Sequence, residues 1–193
     1  MAIIGATGSG KTELARFLLR NQRRVLAIDP KHTLRIDGFR RGWSLPILYP
    51  DFRLIVRPRR DQDAELARLL IEAWRRKNIL VYVDELASVT EIFPLSTQIL
   101  EEIARTGRER KVGLWVAMQR PRWVPRIFLT EAEVMFIFQL RSAEDRQYVA
   151  GYAGDVVEQP VRVPHAFWYV RSGEEPVLLR LNIRKEVIEE VKR

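Results

Sequence analysis

Short apolar runs alternate with amphipathic stretches along this chain. The runs Ala2–Ile4, Val25–Ile28, Leu54–Val56, Ile79–Val83, Val112–Met118 and Val134–Phe138 read as strands. Ile79–Val83 and Val134–Phe138 have no polar alternation, the pattern of strands buried on both faces in a parallel sheet. Between the runs the period changes to that of a helix. From about Gln62 to Lys77, Leu66, Leu69, Leu70, Ala73 and Trp74 share one face. Asp61, Asp63 and Glu65 open this helix and Arg75, Arg76 and Lys77 close it, which suits the helix dipole. A second helix is expected from Ser96 as N-cap through Ile99, Leu100, Ile103 and Ala104, stopping near Gly107. A third should start near Ser142. Ala166–Arg171 and Pro176–Leu181 flank Ser172-Gly173-Glu174-Glu175, a hairpin signal, and a short helix with Val187, Ile188 and Val191 is expected at the end. The alternation predicts an α/β fold: a mostly parallel sheet, helices on both faces and a C-terminal β-hairpin.

No repeat, low-complexity segment or Pro/Gly/Ser-rich linker divides the 193 residues. One domain over 1–193 is expected, with residues from about 160 onward as an appendage. A hydrophobic share of 47% and a charged share of 30% describe an ordinary folded chain. No apolar run is long enough to span a bilayer, and no basic-then-apolar leader is present, so a protein that does not itself span membranes is expected. Cysteine is absent, which excludes disulfides, thiolate zinc sites and cysteine nucleophiles. His32 and His165 have no metal-site spacing and read as surface or loop residues. Lys and Arg total 33 against 25 Asp and Glu, a formal net charge of +8. A polyanionic partner, nucleic acid before membrane, fits that excess; a solubilising surface fits it too.

The chemistry begins with Gly5-Ala6-Thr7-Gly8-Ser9-Gly10-Lys11-Thr12, which matches G-x-x-x-x-G-K-[ST] at every fixed position. It follows a strand-like run and precedes a helical one. Backbone N–H groups freed by the glycines cradle phosphates, and the next helix adds its positive N-terminus. Lys11 can reach the terminal phosphates of a nucleoside triphosphate, and the Thr12 hydroxyl can take one position on Mg²⁺. Ile79–Val83 runs directly into Asp84-Glu85. A core strand ending in acids delivers them to the sheet edge where ligands bind in open α/β folds. Asp84 suits the magnesium shell, and Glu85 suits the orientation and deprotonation of water. Val112–Met118 ends in Gln119-Arg120-Pro121, so Gln119 can hydrogen-bond the γ-phosphate or the attacking water.

Together, Gly5–Thr12, Val25-Leu26-Ala27-Ile28-Asp29-Pro30-Lys31, Asp84-Glu85 and the stretch from Gly107-Arg108-Glu109-Arg110 to Met118-Gln119-Arg120-Pro121 resemble the FtsK/HerA superfamily of DNA-pumping ATPases. Phe138–Arg146 is similar to that family's strand-to-helix passage, so the likeness covers about Met1 to Gly151 plus the hairpin. Met118 stands where the family usually has Thr; Gln119 is intact. The resemblance implies a P-loop NTPase fold of the RecA/ASCE type. It implies ATP and Mg²⁺ as cofactors and a homo-oligomeric ring, hexamer or pentamer, with ATP between subunits. Arg110 occupies the family's Arg-x-x-Gly position and is the first candidate for the arginine acting in trans, with Arg108 second. Without the family's anchoring, DNA-orienting or barrel domains, the chain looks like a bare motor. It is most similar to the genome-packaging ATPases of tailless, membrane-containing DNA viruses. The resemblance thus implies a double-stranded DNA translocase that packages a viral genome. Its expected setting is the host cytoplasm and the virion, docked on a capsid vertex or an internal membrane protein.

Three other readings share parts of this pattern. A phage-assembly or conjugation ATPase would move protein or single strands, and Asp29-Pro30-Lys31 fits it equally well. A nucleotide or metabolite kinase would need a lid, for which Arg105–Lys111 is available. A nucleotide-dependent scaffold would bind ATP without turnover. For the translocase, Arg40-Arg41, Arg59-Arg60 and the arginines of Arg120-Pro121-Arg122 are available for phosphate contacts.

Overall fold

A computed structural model describes residues 1–46 and 51–191. The chain divides into two compact units, one formed by Met1–Phe17 with Ala117–Arg193, the other by Leu18–Val116.

In the unit formed by Leu18–Val116, five strands lie side by side in the order β6-β5-β2-β4-β3. They are β2 (Arg24–Ile28), β3 (Arg40–Arg41), β4 (Phe52–Val56), β5 (Ile79–Val83) and β6 (Val112–Met118), whose last two residues belong to the other unit. Every pairing among them is parallel, with Val25 opposite Leu80 and Val83 opposite Val116. All five residues of β5 are buried, as the unbroken apolar run requires. Tyr82 is among the largest fully buried side chains.

The helices of this unit are α2 (Asp63–Arg76), α3 (Leu86–Ile92) and α4 (Pro94–Thr106). Helix α2 buries Leu66, Leu69, Leu70 and Ala73 of the expected face together with Ala67, whereas Trp74 is half-buried. Helix α4 begins two residues before the expected Ser96. Pro94 fits the first turn because its fixed φ suits a helix and its missing N–H would have had no partner there. The amides of Leu95 and Ser96 donate to the Asp63 carboxylate at 2.8 and 2.9 Å, and the Ser96 hydroxyl donates to Asp63 Oδ1 at 2.7 Å. A carboxylate at the start of α2 therefore caps α4, and Ser96 is a buried residue inside the helix. The expected stop near Gly107 holds. Gly107 keeps right-handed φ and ψ of −57° and −34°, and its role is close approach. A methyl group there would stand 2.4 Å from the Ile103 carbonyl oxygen and 2.5 Å from that of Val112.

In the other unit, β1 (Ala2–Ile4) runs parallel to β7 (Val134–Phe138). Beyond β7 the order is β8 (Ala166–Arg171), β9 (Val177–Asn182) and β10 (Val187–Glu190), each antiparallel to its neighbour. The expected hairpin is β8–β9. The expected C-terminal helix is a strand instead. Val187 and Ile188 are β-branched, and β9 offers a sheet edge on which Val187–Glu190 pairs with Leu179–Asn182. An ion pair between Arg180 and Glu189 at 3.2 Å closes the pair. So few residues would make one turn of helix, which cannot repay its own nucleation. Phe138 faces Phe167 across β7 and β8, with ring centroids 4.9 Å apart. Helix α1 (Lys11–Leu19) follows the glycine-rich loop, the short α5 (Ile127–Thr130) precedes β7, and α6 (Ala143–Ala153) follows it. Helix α6 starts beside Ser142 as expected, and Ser142 caps it, accepting from the Asp145 amide.

Candidate nucleotide-binding site

In the first unit, β1 leads into the glycine-rich loop of residues 5–12. Gly8 and Gly10 have φ of 79° and 109°, where a side chain would be strained. Gly5 is required for space: a methyl group on it would stand 2.6 Å from Phe138 Cβ and 2.8 Å from Ser9 Oγ. The Gly5 amide donates to the Met118 carbonyl at 3.1 Å, and the Ala6 amide to that of Gln139 at 2.9 Å. The loop is thereby pinned at the ends of two strands, β6 and β7. Lys11 is buried, and its ammonium donates to the carbonyls of Gly5 and Ala6 at 2.7 and 2.8 Å. The cation thus rests on the backbone of its own loop. Thr12 lies in the first turn of α1. The Thr7 hydroxyl donates to Gln119 Oε1 at 2.7 Å, which brings the tip of β6 onto the loop as its polar end suggested.

In the second unit, β5 ends in Asp84 and Glu85, both buried. The Asp84 amide donates to the Ile28 carbonyl at 2.9 Å, continuing the ladder to β2. The Tyr82 hydroxyl donates to Asp84 Oδ1 at 2.8 Å and so orients that carboxylate. Burial, then the Asp84 carboxylate, pushes the Tyr82 phenol well above its usual range and keeps it a donor. Glu85 has φ 65° and ψ 74°, a left-handed conformation that costs a non-glycine residue about 1–3 kcal/mol. Strain of that kind persists where the surroundings over-determine it, and it gathers at functional sites. Lys31 Nζ lies 3.2 Å from Glu85 Oε2.

Asp29 holds the segment after β2. It is fully buried and accepts from the amides of Thr33 and Leu34 at 3.1 and 3.0 Å and from Arg57 Nε at 3.0 Å. Buried charge is tolerated when paired in this way. The roles of Tyr82, Lys31 and Arg57 were not visible in the sequence; of these, only Lys31 had a pointer, the Asp29-Pro30-Lys31 step after a strand. Arg108 and Arg110 are exposed on the turn between α4 and β6. The Arg110 guanidinium lies over the Trp74 ring of its own chain, 5.0 Å from the centroid. Arg122 pairs with Glu144, Arg59 lies 3.6 Å from Asp61, and Arg120 stacks 4.3 Å over the exposed Trp123. Among the described residues no helix is long and apolar enough to cross a membrane.

Comparison with known proteins bears on the family and the fold. A model of the AAA domain family matches residues 1–124. The DNA packaging ATPase P9 of Enterobacteria phage PRD1 is 28% identical over 170 residues, covering 84% of this chain and 73% of its own. The genome packaging NTPase B204 of Sulfolobus turreted icosahedral virus 2, solved with AMPPCP, superposes with a TM-score of 0.68 at 15% identity. That match covers 99% of this chain and 95% of B204. The cytoplasmic domain of the Type VII secretion ATPase EccC of Thermomonospora curvata matches with a TM-score of 0.67 at 20% identity, over 92% of this chain and 24% of its own. At such identities the superpositions establish the fold, a P-loop ATPase α/β sheet. The likeness to FtsK/HerA-type and viral packaging ATPases is borne out, and by the match over its first 124 residues the chain belongs to the AAA domain family.

Proposed function

We propose that the chain is an ATP-hydrolysing motor that moves double-stranded DNA, packaging a viral genome into its capsid as a ring of identical subunits. The observation that carries this reading is the hydrogen bond from Thr7 to Gln119. It couples the phosphate loop to the Gln-Arg-Pro strand tip, so a change at the γ-phosphate is felt one residue from Arg120. The P9 and B204 likenesses favour a packaging role.

In the proposed mechanism the loop amides of residues 5–12 hold the phosphates, and Lys11 exchanges its loop carbonyls for phosphate oxygens. The Thr12 hydroxyl and the Asp84 carboxylate, oriented by Tyr82, are hard oxygen donors of the kind Mg²⁺ takes; bound there, the ion would neutralise phosphate charge. Glu85 takes a proton from the attacking water and Gln119 orients that water or the γ-phosphate. The scissile bond is the one between the γ-phosphorus and its bridging oxygen, and ADP leaves. Binding to DNA would run through its phosphates and tolerate any sequence, with the exposed Arg40 and Arg41 among the cations available.

The EccC likeness supports a second reading, a motor for protein or single strands. A kinase needs a lid, and here residues 107–111 form a tight turn closed by the Val112 amide on the Gly107 carbonyl at 2.8 Å. Phosphate release from ATP, measured with and without long duplex DNA, tests the proposal. Turnover should rise with duplex length; stimulation by single strands alone would favour the second reading, and silence without an acceptor would favour a kinase. Lys11→Ala should abolish ATP binding or turnover. Glu85→Gln should keep binding and stop hydrolysis, and a Glu85→Gln protein that turns over normally would overturn the assigned base.

A further inference from the structure

His165 lies far along the chain from the phosphate loop, on the segment leading into β8, and the structure turns its ring onto Gly10. A methyl group on Gly10 would stand 2.8 Å from His165 Nδ1 and 3.7 Å from His165 Cα. The imidazole therefore rests on loop backbone, one residue before Lys11. This placement is built in. The His165 carbonyl accepts from the Leu181 amide of β9 at 3.2 Å, and its φ of 59° is left-handed. Phe138 packs beside the same spot, its Cε1 3.3 Å from that methyl position.

His165 Nδ1 is buried and has no hydrogen-bond partner among the described residues. Ser9 Oγ, in the loop itself, is in the same condition. A group that only filled space beside Gly10 would be apolar, because a buried polar atom without a partner is costly. One such atom in the loop and another resting against it point to a ligand that offers acceptors.

We propose that His165 is a further nucleotide-binding residue, donating from Nδ1–H to a phosphate oxygen held by the loop. This rests on the reading that residues 5–12 grip a triphosphate. Because β9 holds the backbone of His165, the same contact ties phosphate occupancy to the antiparallel strands of this unit.

The test is calorimetric titration of the full chain with a non-hydrolysable ATP analogue and, separately, with inorganic tripolyphosphate, both with Mg²⁺. His165→Leu should weaken both probes by about tenfold or more. His165→Asn, whose amide nitrogen can stand where Nδ1 does, should recover most of the loss. The chain has two histidines, so nitrogen NMR resolves the ring. The His165 Nδ1 resonance should move when either probe is added and stay still in Lys11→Ala. Unchanged affinity in His165→Leu, a loss confined to the ATP analogue, or a motionless Nδ1 signal overturns the proposal. A wild type that binds neither probe better than Lys11→Ala overturns the loop reading along with it.

Discussion

At the scale of single residues, the acids after β5 depend on a neighbour that carries no charge. Tyr82 is wholly buried and spends its hydroxyl on Asp84. Tyr82→Phe should keep ATP binding, lower turnover and cost about 1–2 kcal/mol of stability through the lost hydrogen bond. The pH dependence has a definite sign. The folded phenol titrates above the unfolded one, so its contribution is complete below pH of about 10 and is lost as pH rises through the folded value. Chemical denaturation across the alkaline range should show a shallower fall for Tyr82→Phe than for wild type; matching slopes would remove Tyr82 from the account. Glu85 shows a different kind of dependence. Its place after an apolar strand was legible in sequence, whereas its left-handed backbone was not, and its Lys31 partner is brought near by the β2 and β5 ends lying in register.

At the scale of elements, periodicity located most strands and helices because burial sets it directly. Ile79–Val83 and Val134–Phe138 have the expected bounds. The ends of elements were read less well, since they depend on partners from elsewhere in the chain. Ser96 has the chemistry of a cap, yet the cap of α4 is Asp63, on another helix. Asp63→Ala should strip two amides of their acceptor, leave the Ser96 hydroxyl only the Asp63 carbonyl at 3.3 Å, and cost about 2–3 kcal/mol in thermal or urea unfolding. Ser142→Ala, which removes an ordinary exposed cap, should cost about 1 kcal/mol. Equal losses in the two variants would mean that Asp63 is only a surface cap. The final strand misled for a related reason. Val187, Ile188 and Val191 fit a helix face and a short strand alike, and the free edge of β9 decided between them.

At the scale of the molecule, the proposed ring asks Arg110 to serve a neighbouring subunit. In its own chain that guanidinium lies over Trp74. An exposed cation–π contact is worth about 0.5–1 kcal/mol, while an arginine finger supplies roughly 10³–10⁵ in rate, or about 4–7 kcal/mol. Leaving Trp74 is therefore a minor cost. Arg110→Ala should reduce turnover of the assembled protein, and mixing it with Lys11→Ala subunits should restore part of it, because each variant supplies what the other lacks. Mixtures that stay inactive while mass measurement shows mixed assemblies would reject a trans role for Arg110. The same test with Arg108→Ala ranks the two candidates.

Which residues are available to meet phosphate, and in what kind of sheet, follows from the order of residues alone, because loop motif and strand period are local properties. The tertiary structure alone decided which groups meet. Lys31 on Glu85, Asp63 on α4 and His165 on Gly10 each join distant positions through packing and strand register, and no local pattern encodes those distances.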